Sequence, residues 1–234
     1  MVGGEMQPSG IARVGSGLEV LSVVSSVLLV TWGIVPFLPR QRWIMAIPLL
    51  LAVALMIGSH RLHGEGLTEL GLTFSHFARA LGLTLLPGMV SMAIFVWIGW
   101  NGLTQHRMEK LPAELILLPL SGIVQQYLLQ GFIYRRIRFM LIGEVPRGGS
   151  GRIWMSIFLT ASIFSLIHAP NLMLMFLTLT GGIIWSWIYE RAPNLYVIGI
   201  SHGLASLMII YTLPPTMLKS LGVGYKYFLY NKFQ

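Results

Sequence analysis

The sequence predicts an all-α protein, a polytopic transmembrane bundle of about seven or eight spans. Composition is the first reason. The 234 residues are 55% hydrophobic and only 10% charged, whereas a soluble domain carries about 25% charged residues to wet its surface. Mean hydropathy is +0.72. The second reason is run length: the apolar stretches far exceed the ~9–11 residues of a barrel strand and approach the ~20 of a spanning helix. Soluble enzymes, disulfide scaffolds and disordered tails are excluded together. The chain has no Cys, which removes thiolate zinc sites and cysteine nucleophiles. The net charge of +8 does not indicate nucleic acid, because the basic residues sit between apolar segments, as membrane anchors do.

In chain order, residues 1–17 read as a Gly-rich, mildly polar tail without the charged start of a signal peptide. Val20–Leu38 is a first span, stopped by Pro39, Arg40 and Arg42. Trp43–Gly58 is a short second span, closed by His60 and Arg61. Arg61–Arg79 mixes Glu65, Glu69, His63 and His76 with leucines and phenylalanines, as an interfacial stretch does. His60 and His63 are expected to snorkel there, and His76 and His106 fall in no pattern. Ala80–Trp100 is a third span with a kink expected at Pro87–Gly88. Leu111–Ile133 is a fourth. A basic loop with Arg135, Arg136, Arg138, Arg147 and Arg152 follows, and the positive-inside tendency places it in the cytoplasm. Ile153–Ala169, Asn171–Tyr189 and Leu195–Leu213 complete seven spans. Residues 214–234 form an amphipathic aromatic and basic tail, with Tyr225, Tyr227, Phe228, Tyr230 and Phe233 among three lysines, or an eighth re-entrant element. Residues 18–110 thus form an N-terminal helical region, and 111–213 a core set apart by its polar residues.

Polar side chains at bilayer depth cost free energy unless they face protein, water or one another. Three clusters qualify. Gln126 and Gln130 share one face of span four, beside Gln125, with Gly122 a turn earlier. Phe164 and His168 end span five. His202 and Ser206 are four apart on span seven. Each could be interhelical glue, at roughly 0.6–2 kcal/mol per pair. Three clusters on three helices point to a shared polar pocket. Glu114 lies about 16 Å along the axis from Gln125 at 1.5 Å per residue, too far to act there, and Glu190 is expected to pair with Arg191 at the surface.

The run from Gln125 to Arg136 resembles the first motif of the CPBP family, Glu-Glu-x-x-x-Arg-Gly-x-x-x-x-Arg. That family holds the CAAX-prenyl and bacteriocin-processing intramembrane endopeptidases. Phe164 to His168 resembles its second motif, Phe-x-x-x-His, and His202 to Ser206 its third, His-x-x-x-Asn or His-x-x-x-Asp. Trp187 to Arg191 is also similar to the family, and the resemblance covers residues 111–210. It implies an intramembrane protease fold in the bacterial cytoplasmic membrane, with Gln125, Gln126, Gln130, His168, His202 and Ser206 at the catalytic positions.

The departures fall on the chemistry. The resemblance puts the water-activating glutamate at Gln125, its companion at Gln126, the arginine at Gln130 and the Asn or Asp at Ser206. An amide offers an acceptor and a donor but is not basic near neutral pH, so it can orient a water and cannot serve as general base. It is also a poor zinc ligand, and no metal or cofactor is expected. With the acids gone, an unpaired arginine at depth would be costly, and Gln130 removes that charge. The expected function is a pseudo-protease whose neutralised pocket binds membrane lipids, prenylated segments or transmembrane segments. An active endopeptidase with an atypical Gln/His site is one alternative. The other is a subunit of a larger membrane complex, with His168 or His202 as axial ligand to haem or pigment.

Overall fold

The computed structural model describes residues 10–37, 42–100, 108–143, 150–218 and 221–229. Those residues form seven helices long and apolar enough to cross a membrane, and no strand. We label them α1 Gly10–Phe37, α2 Arg42–Leu62, α3 Phe77–Gly99, α4 Leu111–Ile142, α5 Ser150–Ile167, α6 Leu172–Arg191 and α7 Leu195–Thr212. The protein is a multi-pass integral membrane protein. Its outer faces are lined by exposed leucine, valine, isoleucine and tryptophan, the surface that lipid requires.

Four boundaries differ from those expected. α1 starts at Gly10 within the predicted tail, because Ser16, Val20 and Val23 bury against the bundle. α2 runs on to Leu62, and α3 starts at Phe77 rather than Ala80. The largest difference is α4, which does not end at Ile133. It runs on to Ile142 and carries Arg135, Arg136 and Arg138 as helical residues rather than loop residues. Among the described residues after α7 there are only the short helical turns Pro215–Leu218 and Lys226–Leu229 and no eighth span. Arg147, His106, Tyr230 and Phe233 lie outside the described residues.

Two helices contain wide π turns, Leu29–Ile34 in α1 and Tyr127–Tyr134 in α4. Such turns add a residue to the helical register and frequently mark functional sites. Asn171 and Asn194 cap α6 and α7, their side-chain oxygens accepting from Leu174 N and Val197 N. Asn194 also donates to Thr73 O and Ser75 O, which pins the 63–76 connection to the start of α7.

α4 and α7 make the closest contact in the bundle. Gly122 packs onto the backbone of Gly199, while Gly199 and Gly203 receive Ile123 and Pro119 of α4. A methyl at any of these positions would overlap backbone atoms. Gly199 and Gly203 are the small-residue pair, four apart, that lets membrane helices approach closely. This contact brings His202 against Gln126.

Candidate functional site

The site is assembled from four helices. Gln126, at the start of the α4 π turn, is fully buried, and its amide nitrogen lies 3.3 Å from His202 Nδ1 of α7. Four residues on, Gln130 is equally buried and donates to Ser186 Oγ of α6 at 3.0 Å. The side-chain carbonyl oxygens of both glutamines are buried and accept no hydrogen bond from the described residues. A connected row of rings continues the site. His202 lies 4.5 Å from Trp185, centroid to centroid, and 5.7 Å from Phe164. Phe164 in turn meets His168 edge-on at 4.9 Å. Trp185 is held by its own donation to Ser201 Oγ.

His168 ends this row just beyond α5, in the turn before α6. Burial pushes its imidazole below the usual histidine range. Donation from Nδ1–H to Phe164 O at 2.7 Å offsets this only in part.

The six candidate residues therefore do not all share one environment. His202 and His168 flank Phe164, Gln126 joins them through His202, and Gln130 lies one turn further along α4. Gln125 does not join them. It is half-buried and donates to Ser121 Oγ on its own helix. Successive helical residues differ by about 100° in direction, so Gln125 and Gln126 cannot both face α7. Ser206 lies one turn past His202 and is half-buried. Sequence reasoning missed Ser186 and Trp185. Their small signal was a Ser between two Trp on an otherwise apolar helix.

A second polar assembly lies at the end of the bundle where α4 stops. Arg136 is 1% exposed, and its Nη2 meets Glu65 Oε2 at 2.7 Å while Nε meets Ser59 Oγ at 2.8 Å and Glu19 Oε2 at 3.1 Å. Arg135 pairs with the other oxygen of Glu65 at 2.7 Å. His60 Nδ1 lies 2.7 Å from Glu65 Oε2. Burial alone would raise the Glu65 carboxyl. The hydrogen bonds from His60 and Arg136, with the charges of both arginines, hold it well below the usual carboxylate range.

Three expectations are corrected here. Arg135 and Arg136 are not loop anchors but partners of the half-buried acids Glu65 and Glu19. His60 does not snorkel: it is buried between Tyr127 and Phe132, because Glu65 gives it a partner inside. Glu190 does not pair with Arg191. It accepts from Tyr134 at 2.7 Å and pairs with Arg138 at 3.0 Å, while Arg191 stacks on the Trp187 ring. The helical spacing of Tyr134 and Arg138 places both beside Glu190.

Among the described residues no group of three His, Asp or Glu could hold a metal ion. No curated protein and no solved structure matches the chain. The family model for Rce1-like type II CAAX prenyl endopeptidases matches residues 107–208. That stretch contains α4, α5, α6 and most of α7, and with them Gln126, Gln130, His168 and His202. Residues 107–208 are thus similar to the Rce1-like family, and the all-helical bundle fits the CPBP intramembrane protease fold.

Proposed function

We propose that this protein is a non-catalytic member of its fold, binding a prenylated or transmembrane protein segment through the amide-lined site. One observation supports the reading: among the described residues no carboxylate is hydrogen-bonded to Gln126, His168 or His202, where a general base is needed. Gln126 faces His202 as an amide, and the half-buried acids Glu19, Glu65 and Glu190 are engaged by arginines at the far end of α4. A neutral imidazole beside an amide can orient a water molecule but has no carboxylate to stabilise its protonated form. What the site keeps is hydrogen-bonding capacity. The unpartnered carbonyls of Gln126 and Gln130 suit the N–H donors of an unwound or extended segment, and an unmet acceptor costs about 1–3 kcal/mol until it finds a donor.

The test is cleavage of a farnesylated model peptide by the purified protein in proteoliposomes. The unaltered chain should bind the peptide and release no fragment. The triple variant Gln125→Glu, Gln126→Glu, Gln130→Arg restores the family's residue types and should gain measurable hydrolysis, since a positioned base is worth roughly 10²–10⁴-fold in rate. Cleavage by the unaltered chain that His168→Ala abolishes would sink the proposal.

A further inference from the structure

The chain after α7 does not trail away from the bundle. Leu213 and Leu218 are buried with Leu174 of α6, and the segment then crosses the end of the bundle where α5 turns into α6. Three attachments hold it there. Asn171 is 1% exposed, and its Nδ2 donates to Leu218 O at 2.8 Å and to Gly222 O at 3.1 Å, while its Oδ1 caps α6. Gly224 N donates to Ala169 O at 2.8 Å. Tyr225 N donates to Thr31 O of α1 at 3.2 Å.

The last attachment has a local cause. In the α1 π turn the Val35 N–H reaches back to Val30 O, and the next residue, Pro36, has no N–H to offer. The Thr31 carbonyl is left for an outside donor. Gly224 sits over it with φ +56°, and a Cβ there would approach Thr31 O to 2.7 Å, so the position requires glycine both for its backbone and for its space.

The Ala169 and Asn171 attachments lie on the same short turn as His168, the end of the ring row that leads through Phe164 to His202. The segment itself is lightly held. Beyond Leu213, Leu218 and Val223 it buries little apolar surface. Met217, Leu221 and Phe228 are exposed, Phe228 touching the Trp32 ring of α1 and the Tyr227 ring, and its two helical turns span only four residues each. Segments with few buried contacts open before the body of a fold does.

We infer that residues 213–218 and 221–229 form a lid over the His168 end of the site, latched by Asn171 and Gly224, which lifts to admit what the site binds. Its being a lid follows from the attachments. Its role as a gate rests on the binding reading above.

The absence of Cys makes the test clean. A single His168→Cys substitution is reacted with a charged, membrane-impermeant maleimide in proteoliposomes. The rate is compared with and without a second change at each latch. Asn171→Asp keeps the oxygen that caps α6 but sets a carboxylate against two carbonyls. Gly224→Ala breaks the second latch on the tail itself, away from α5 and α6. Each should speed labelling about tenfold, the scale of losing one or two hydrogen bonds, with little change in the thermal midpoint. Should Asn171→Asp disturb α6, Gly224→Ala carries the test alone. Unchanged labelling with Gly224→Ala overturns the lid. Binding of a fluorescent farnesylated peptide separates the two claims. Faster labelling without faster peptide association leaves the lid standing and removes the site as its target.

Discussion

Arg136 spends most of its donor set inside the protein, on Glu65, Glu19 and Ser59, with its guanidinium 5.4 Å from the Phe132 ring centre. Removing one member of such a group leaves the others charged and unpaired, which costs about 3–5 kcal/mol. Arg136→Met should therefore destabilise the protein by that amount, read as a lowered thermal midpoint in detergent. Glu65 gives a pH signature. Its folded pKa lies below the ordinary glutamate value, so its stabilisation is complete above about pH 4.3 and fades as pH falls below it. Glu65→Gln should lower stability at pH 7 and flatten the acid limb. An acid limb as steep as that of the unaltered chain would remove Glu65 as its source. None of this cluster was legible beforehand. An arginine after an apolar run reads as an anchor, and only three-dimensional contact with α1 and the 63–76 connection reveals its partners. His202 and Gln126 were legible, because a polar residue in a long apolar run is conspicuous wherever its helix points.

For the helices, existence was easier to read than extent. All seven spans are visible in hydropathy, yet α4 was cut nine residues short because arginine lowers hydropathy whether or not it is neutralised. The π turns have no composition signature. The α4–α7 contact could be read in part, since Gly199 and Gly203 are correctly spaced. Gly122→Ala and Gly203→Ala should each cost about 1–3 kcal/mol through backbone displacement and shift His202 from Gln126. Gly82 makes a control: a methyl there meets no atom within 4 Å, and Gly82→Ala should be neutral or up to about 1 kcal/mol stabilising from helix propensity. Equal midpoints for all three variants would mean that α4 and α7 pack less closely than described.

Across the whole molecule, seven spans put the arginine end of α4 and the segment after α7 on opposite sides of the bilayer. The expected cytoplasmic placement of the arginine end relied on five arginines, and three of them are spent on Glu19, Glu65 and Glu190. The orientation signal that survives is Arg61, Arg79, Arg152 and Arg191, which pair with no carboxylate among the described residues and lie at the same end. Impermeant labelling of Arg152→Cys and Met217→Cys in sealed vesicles checks this: opposite faces should react, with Arg152→Cys protected in right-side-out vesicles. Labelling of both from one face would require an even number of crossings.

The arginine cluster also bears on the order in which the protein is made. Glu19 and Glu65 precede Arg136 in the chain by 117 and 71 residues, so the acids are synthesised first. When α4 leaves the ribosome, α1 with Glu19 and the connection after α2 with Glu65 have already been delivered. Arg136 then need never face lipid alone, an exposure that grows costlier with depth. The waiting charges are carboxylates near a helix end, where water can solvate them in the interval. Chain order thus spares the growing protein its most expensive intermediate, and it makes the first two helices an assembly aid for the fourth.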